Sequence, residues 1–305
     1  SGSLLKLNLS RNFGDDILGY LTISEGYRIG GLNAVPQCTP EQLTSGNQEL
    51  CATEDEILIA ADTTTNYEIG VHSTLADGQL TLNAAVYYVD WEDIQIDDTT
   101  INGSLPITSN GGKATSQGIE LSANWRINPN WRLSGALALN EAELAESLGQ
   151  PFNDNSILGD SLTGPLTTPE GSRLPGSPEE QVSLTLMHDR TLSNGWDLNV
   201  QYGVAYMGDV ANSVGAEQFA SVAPWGGEII PSYTLHNLSV GVASDQWTAS
   251  VFIDNLTDEY AITGTRVSRR LLAENRGLIN GVPLRSYGYY IGRPRVAGMR
   301  FTYDF

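Results

Sequence analysis

The chain has 305 residues, with 36 Asp and Glu against 16 Lys and Arg, a formal net charge of −20, and 40% hydrophobic residues. That acidic excess argues against a nucleic-acid partner, because phosphate backbones are held by clustered Lys and Arg that displace counterions. No window approaches the roughly 18 consecutive apolar residues of a membrane helix, yet a β-barrel crosses lipid on short alternating strands, so mean hydropathy does not exclude a membrane protein.

The opening Ser1-Gly2-Ser3 has no basic-then-apolar signal segment and fits a mature chain or a fragment. From there the dominant pattern is alternation with period two. Leu5, Leu7 and Leu9 alternate with Lys6, Asn8 and Ser10; Ile119, Leu121, Ala123, Trp125 and Ile127 alternate with Glu120, Ser122, Asn124 and Arg126. The pattern predicts eleven strands, over 3–11, 16–30, 63–76, 79–97, 113–127, 131–143, 178–191, 196–208, 231–243, 246–257 and 291–305. Connections alternate strictly between two kinds. Tight turns rich in Asn, Asp and Gly, such as Asp77-Gly78 and Ser193-Asn194-Gly195, suit hairpins. Long connections fill 31–62, 98–112, 144–177, 209–230 and 258–290.

All the long loops therefore leave one rim and all the tight turns the other, which is the asymmetry of an outer-membrane barrel. A soluble sandwich is the competing architecture, but its strands average about 5 to 6 residues and many here are longer. Trp125, Trp131 and Trp196 fall on the apolar phase beside the tight turns, where an aromatic belt meets the lipid interface. An antiparallel meander of eleven strands has its first and last strands running the same way and cannot complete an antiparallel closure, so either strands are missing, the favoured reading, or the barrel is a rare odd-stranded one. The fold class expected is an all-β, antiparallel up-and-down transmembrane barrel of which these strands form an incomplete part. Cys38 and Cys51 share one polar connection, too far apart for a C-x-x-C motif and without further zinc ligands. One loop disulfide in an oxidising compartment is the expectation, with two unpaired thiols as the alternative.

Four separated segments carry a resemblance to the TonB-dependent receptors of the Gram-negative outer membrane. Ser24-Glu25-Gly26-Tyr27-Arg28-Ile29-Gly30-Gly31 is similar to the family's Ser-x-Gly-Tyr-Arg-x-Gly-Gly, and Asn255-Leu256-Thr257-Asp258-Glu259-Tyr260 to its Asn-Leu-x-Asp-x-x-Tyr. Arg173-Leu174-Pro175 resembles the lead into a barrel strand, and Gly292-Arg293-Pro294-Arg295 precedes the final alternating strand to Phe305. The resemblance implies about 11 strands of a 22-strand barrel, residues 1–305 being its C-terminal part, with the plug domain, TonB box and N-terminal strands outside the sequence. It also implies that Phe301, Tyr303 and Phe305 are read by the barrel-assembly machinery. The implied partners are a ferric siderophore, TonB through the N-terminal part, and outer-membrane lipid and lipopolysaccharide. Cobalamin or an oligosaccharide is an alternative ligand.

The chain carries no nucleophile elbow, phosphate loop, H-E-x-x-H or dinucleotide fingerprint, so neither an enzyme nor a resident cofactor is expected. His72, His188 and His236 lie in separate strands, expected near the tight-turn rim, and make no metal site. Asn153-Asp154-Asn155 and Asp97-Asp98 lack calcium-loop spacing. Charge is unevenly placed: 31–62 holds six acids and no base, whereas 266–300 holds Arg266, Arg269, Arg270, Arg276, Arg285, Arg293, Arg295 and Arg300. Guanidinium forks suit carboxylate and phosphate ligands. Arg266, Arg269 and Arg270, with Tyr287 and Tyr289, are the candidate contacts for an anionic ligand; pairing with acids of the absent plug or with lipopolysaccharide is the alternative. A passive porin-like or adhesive barrel, or a soluble carbohydrate-binding β-sandwich, are the competing functions.

Overall fold

The computed structural model describes residues 3–44, 50–100, 105–149, 167–212, 214–216, 228–267, 278–279, 282–283 and 287–304. Its centre is one 11-stranded antiparallel sheet in strict sequence order. The strands are β1 Lys6–Asn12, β2 Ile17–Arg28, β3 Asp62–Leu75, β4 Leu80–Glu92, β5 Lys113–Asn128 and β6 Trp131–Leu144. They continue as β7 Glu180–Thr191, β8 Asp197–Met207, β9 Tyr233–Ala243, β10 Trp247–Asp254 and β11 Val296–Tyr303. The edges β1 and β11 are not paired with each other, so the sheet is open. No helix among the described residues is long and apolar enough to cross a membrane.

Register sorts the side chains. The row Leu9, Leu21, Ile69, Val86, Ile119 and Leu139 runs across six strands on one face. One residue along, Asn8, Thr22, Glu68, Tyr87, Gly118 and Asn140 form a row on the other. Among the described residues no protein layer covers the apolar face: Met299 is 84% exposed and Phe301 67%. Two aromatic bands bound it. Trp125, Trp131, Trp196 and Trp247 lie at the tight-turn end, with Trp196 edge-on to Trp247 at 4.9 Å and Trp247 stacked on Phe301 at 6.3 Å. Tyr67 and Tyr88, 6.5 Å apart, lie toward the long loops. Between the Tyr88–Gln117 and Leu80–Trp125 pairs the ladder runs about 27 Å, or roughly 20 Å at a barrel strand's tilt, comparable with the apolar band of a transmembrane barrel.

Buried apolar packing sits instead at the long-loop rim. Ile94, Ala114, Leu144 and Leu148 form a cluster with Trp91, Ile96, Leu174 and Val214 packed against it. Trp91, Ala114 and Leu144 stand on the polar phase of their strands, so these loops fold inward over the polar side. Two expected spans differ in extent. The strand expected over 79–97 stops at Glu92, because Asp93 takes a positive φ of 55° and the chain leaves the ladder. The last expected span, 291–305, begins later, at Val296 of β11; its first residue, Ile291, ends a separate strand, Tyr287–Ile291, which pairs with Ile262–Val267.

Candidate functional site

The long-loop rim is a welded surface. Its first joint is Asp62, 1% exposed, at the rim end of β3 and beyond the apolar band. Both its oxygens are occupied: Oδ1 accepts the Arg28 N–H at 3.1 Å, while Oδ2 accepts Arg28 Nε at 2.8 Å, Trp91 Nε1 at 3.0 Å and the Gln95 N–H at 3.2 Å. Arg28 Nη2 also pairs with Oδ2, and the guanidinium lies 4.8 Å over the Trp91 ring. Burial pushes this carboxyl up, but the hydrogen bonds from Arg28, Gln95 and Trp91 outweigh it and hold Asp62 below the usual carboxylate range.

Above this joint the first two long loops become one body. Gln95 Nε2 donates to the Ile29 and Ala60 carbonyls at 3.1 and 3.0 Å. Asn33 Nδ2 donates to Glu56 O and Thr108 O, both at 2.7 Å, and its Oδ1 accepts the Thr108 N–H at 2.9 Å. Cys38 and Cys51 are joined by a disulfide, flanked by a Gln37–Ala52 bridge and followed by helix Glu54–Ile57, where Thr53 and Glu56 form a capping box. Gly30 is required where it sits: a Cβ there would lie 2.3 Å from Ile59 O.

The third and fourth long loops meet at Arg173, whose side chain is 15% exposed. Its Nη1 and Nη2 donate to Asp209 Oδ2 at 2.8 Å and Asp209 O at 2.9 Å, and its Nε lies 3.0 Å from Glu179 Oε1. The Arg-Leu-Pro segment is thus a clamp. It runs beside the end of β6, with Leu174 N–H donating to Ala142 O, before Gly176 turns the chain at φ 76° toward β7. The fifth loop starts from Asn255, in the left-handed region at φ 51°. Its Nδ2 donates to Glu259 O at 2.9 Å and Arg293 O at 3.1 Å, its Oδ1 accepts the Glu259 N–H at 2.8 Å, and its N–H donates to Asn237 Oδ1 at 3.0 Å.

Of the expected ligand contacts, Tyr289 pairs with Thr265 in the Ile262–Val267/Tyr287–Ile291 ladder, and its hydroxyl donates to Glu228 Oε1 at 2.8 Å, tying the fifth loop to the fourth. Arg266 pairs with Gly288 and Tyr287 with Val267 in that ladder; the side chains of Arg266 and Tyr287 lie outside the described set. Arg269 and Arg270, like Asn153-Asp154-Asn155 and Phe305, lie outside the described residues. Phe301 and Tyr303 are on the apolar face of β11. The expected position of His236 needs correction. His72 and His188 are near the tight turns, but His236 is at the long-loop end of β9, where its carbonyl accepts Leu256 N–H and its ring Nδ1 lies 2.7 Å from the Tyr202 hydroxyl. Among the described residues no cluster of His, Cys, Asp and Glu could hold a metal.

Below the rim, the polar face offers a wall of hydrogen-bonding side chains. Tyr20 lies flat across Gly70, stacked on His72 at 5.1 Å, and donates to Glu68 at 2.7 Å. Tyr87 lies across Gly118 and donates to Asn140 Oδ1 at 2.7 Å.

A wall apolar outside and polar inside, with welded loops at one rim and hairpins at the other, is matched by the model of the TonB dependent receptor-like β-barrel over residues 4–256. The chain belongs to this family. Its family and fold are those of outer-membrane transport receptors, and the long-loop rim is the outer one. The chain is 31% identical over 167 residues to the pesticin receptor of Yersinia enterocolitica, covering 53% of this chain and 22% of that protein. The Yersinia pestis pesticin receptor is 30% identical over the same length. Among solved structures, the ferric yersiniabactin uptake receptor FyuA from Yersinia pestis matches 98% of this chain and 37% of its own, with TM-score 0.65 and 22% identity. The siderophore receptor PiuA from Acinetobacter baumannii matches 97% of this chain and 35% of its own, with TM-score 0.62 and 16% identity. The chain therefore spans well under half of these relatives.

The rim-bracing residues that pattern reading missed are Asp62, Asn33 and Asp209. Each lies at the start of a strand or inside a long loop, where no periodicity marks it. Arg28 and Arg173 stood in recognised motifs, but their partners were invisible.

Proposed function

We propose that this chain is the C-terminal part of an outer-membrane receptor that takes up a ferric siderophore with energy delivered by TonB. In the longer protein, the part preceding residue 1 supplies the remaining barrel strands, the plug and the segment that meets TonB. The 31% identity to the pesticin receptor carries the reading, and it is supported by solved relatives that include a ferric yersiniabactin uptake receptor and a siderophore receptor. The residues here supply the wall and the specificity rim. A preorganised rim serves capture, because little conformational entropy is lost when ligand binds. Arg266, Arg269 and Arg270, with Tyr287 and Tyr289, contact the ligand, and Phe301, Tyr303 and Phe305 form the signal for barrel assembly.

The test is iron-59 uptake by cells carrying the full-length receptor, with a panel of ferric siderophores, in tonB-positive and tonB-negative backgrounds. Uptake of one member that depends on both receptor and TonB is expected. TonB-independent flux would assign a passive pore instead. With that siderophore, the Arg266→Ala/Arg269→Ala/Arg270→Ala receptor should bind at least tenfold more weakly at equal surface abundance, since each charge-assisted hydrogen bond lost contributes roughly 1.5 to 3 kcal/mol when desolvated. Unchanged affinity would move recognition elsewhere.

A further inference from the structure

The outward, lipid-facing side of the wall carries charge that ligand capture does not use, and it is sorted by height. Toward the outer end the outward phase bears carboxylates, among them Asp90 opposite Thr65 and Glu180 opposite Leu139. The outward base there, Lys113, is already paired with Glu92 at 2.6 Å. At the periplasmic end the outward phase of the described strands bears Arg11, opposite Gly19, and Arg190, opposite Leu198. Neither arginine has an ion-pair partner among the described residues.

Aromatic rings lie against Arg11 and, at the second locus, beside the strand neighbour of Arg190. The Arg11 guanidinium lies 5.3 Å over the Phe13 ring. That ring fits because Gly19 has no side chain: a Cβ there would be 3.0 Å from Phe13 Cε2. At the other locus His188, one outward step from Arg190, packs against Trp131 with ring centroids 4.3 Å apart, and its Nδ1 has no hydrogen-bond partner. Trp131 is 37% exposed and Phe13 58% exposed. A lone guanidinium facing hydrocarbon is costly, so a long side chain at the edge of the band extends to the interface, where lipid phosphates lie. There its planar fork meets a phosphate's two oxygens.

We propose that Arg190 with His188 and Trp131, and Arg11 with Phe13, are two binding stations for the phosphodiester headgroup of phospholipid in the periplasmic leaflet. Charge complementarity selects the occupant. An anionic headgroup such as phosphatidylglycerol, which brings no ammonium of its own to compete with the arginine, binds more tightly than a zwitterionic one. The carboxylate-bearing outer end repels the same headgroup, so the stations are confined to one leaflet.

The test uses the full-length receptor, delipidated in non-ionic detergent and titrated separately with phosphatidylglycerol, phosphatidylcholine and inorganic phosphate, with bound lipid counted by native mass spectrometry. The wild type is expected to retain phosphatidylglycerol at least fivefold more tightly than phosphatidylcholine, and Arg11→Gln/Arg190→Gln to lose that preference. Equal phosphatidylglycerol retention by wild type and variant would overturn the proposal. So would displacement of the lipid by millimolar inorganic phosphate, which would assign a free-anion site. Should the double Gln variant fail to insert, Arg11→Lys/Arg190→Lys keeps both charges but loses the forks; it is expected to bind about threefold more weakly, and wild-type retention by it would count against the stations. No uptake measurement enters, so the outcome is independent of the transported ligand.

Discussion

Replacing Asp62 by Ala removes the acceptor that joins β2, β3 and the second long loop. The Trp91 indole N–H and the Gln95 N–H lose their partner, and the Arg28 guanidinium, whose side chain is 48% exposed, loses its carboxylate and keeps the Gln95 carbonyl at 3.1 Å. A fully buried pair broken this way costs about 3 to 5 kcal/mol, but water reaches half of Arg28, so about 3 kcal/mol is the expected loss. The wall should survive, because its ladder does not pass through this carboxylate. The loss therefore appears as local opening of the rim, raising the open population about 150-fold. Hydrogen exchange with mass-spectrometric detection on the full receptor in detergent reads it directly, as protection at 28–33 and 93–96 falling by two orders of magnitude while 119–125 stays protected. A change under threefold would refute the assignment of Asp62 as the joint. The same node sets a pH dependence. A carboxyl held below its ordinary range stabilises fully above its unfolded value, about 4, and loses that contribution as pH falls through the folded value. Rim protection, corrected for intrinsic exchange, should be flat from pH 8 to 5 and decline only in stronger acid; in Asp62→Asn that acid step should vanish.

Two further outcomes follow from the geometry. Gly70→Ala places a Cβ about 2.4 Å from the Tyr20 ring, which should destabilise the wall by about 1 to 3 kcal/mol in a urea titration of the refolded receptor; adding Tyr20→Ala should recover part of the loss, and strictly additive effects would refute the contact. Cys38→Ser/Cys51→Ser opens a loop with a sequence separation of 13, which in the chain-entropy picture removes about 3 kcal/mol; faster exchange at 50–57 with an unchanged wall is expected, and equal exchange with and without the bridge would contradict that.

The wall was legible in the sequence because one physical rule governs it. Each strand touches lipid on one face and polar groups on the other, so the period of two is written without interruption through segments such as Ile119–Ile127 and Trp196–Tyr206. The tight turns were legible for a related reason: Gly78 and Gly195 sit at φ 80° and 82°, conformations glycine adopts freely. The rim was not. Its order depends on one-to-one contacts across long sequence separations, such as Asn33 with Thr108 and Arg173 with Asp209, and single polar residues in loops carry no period. Motif resemblance pointed at Arg28, Arg173 and Asn255 without saying what they touch. His236 was misplaced although its expected span, 231–243, follows the long connection 209–230; in β9, which begins at Tyr233, a histidine three residues in belongs to the outer end.

The placement of these contacts bears on how such a wall works. The sheet is a single layer with lipid on one side, so burial of apolar side chains within protein contributes little to its rigidity, and the hydrogen-bonded ladder does that work. A ladder fixes neighbouring strands but leaves the loops above free. Rim order must then come from contacts that cross between loops, and two of these join one shielded charged group to partners about half exposed: Asp62 with Arg28, and Arg173 with Asp209 and Glu179. Trp91, which donates to Asp62, and Leu174, the neighbour of Arg173, both pack against the small cluster of Ile94, Ala114, Leu144 and Leu148. That cluster lies on the polar side of the wall, which draws the second and third long loops inward over the mouth. The same packing that orders the rim thus also carries these loops over the polar face of the wall.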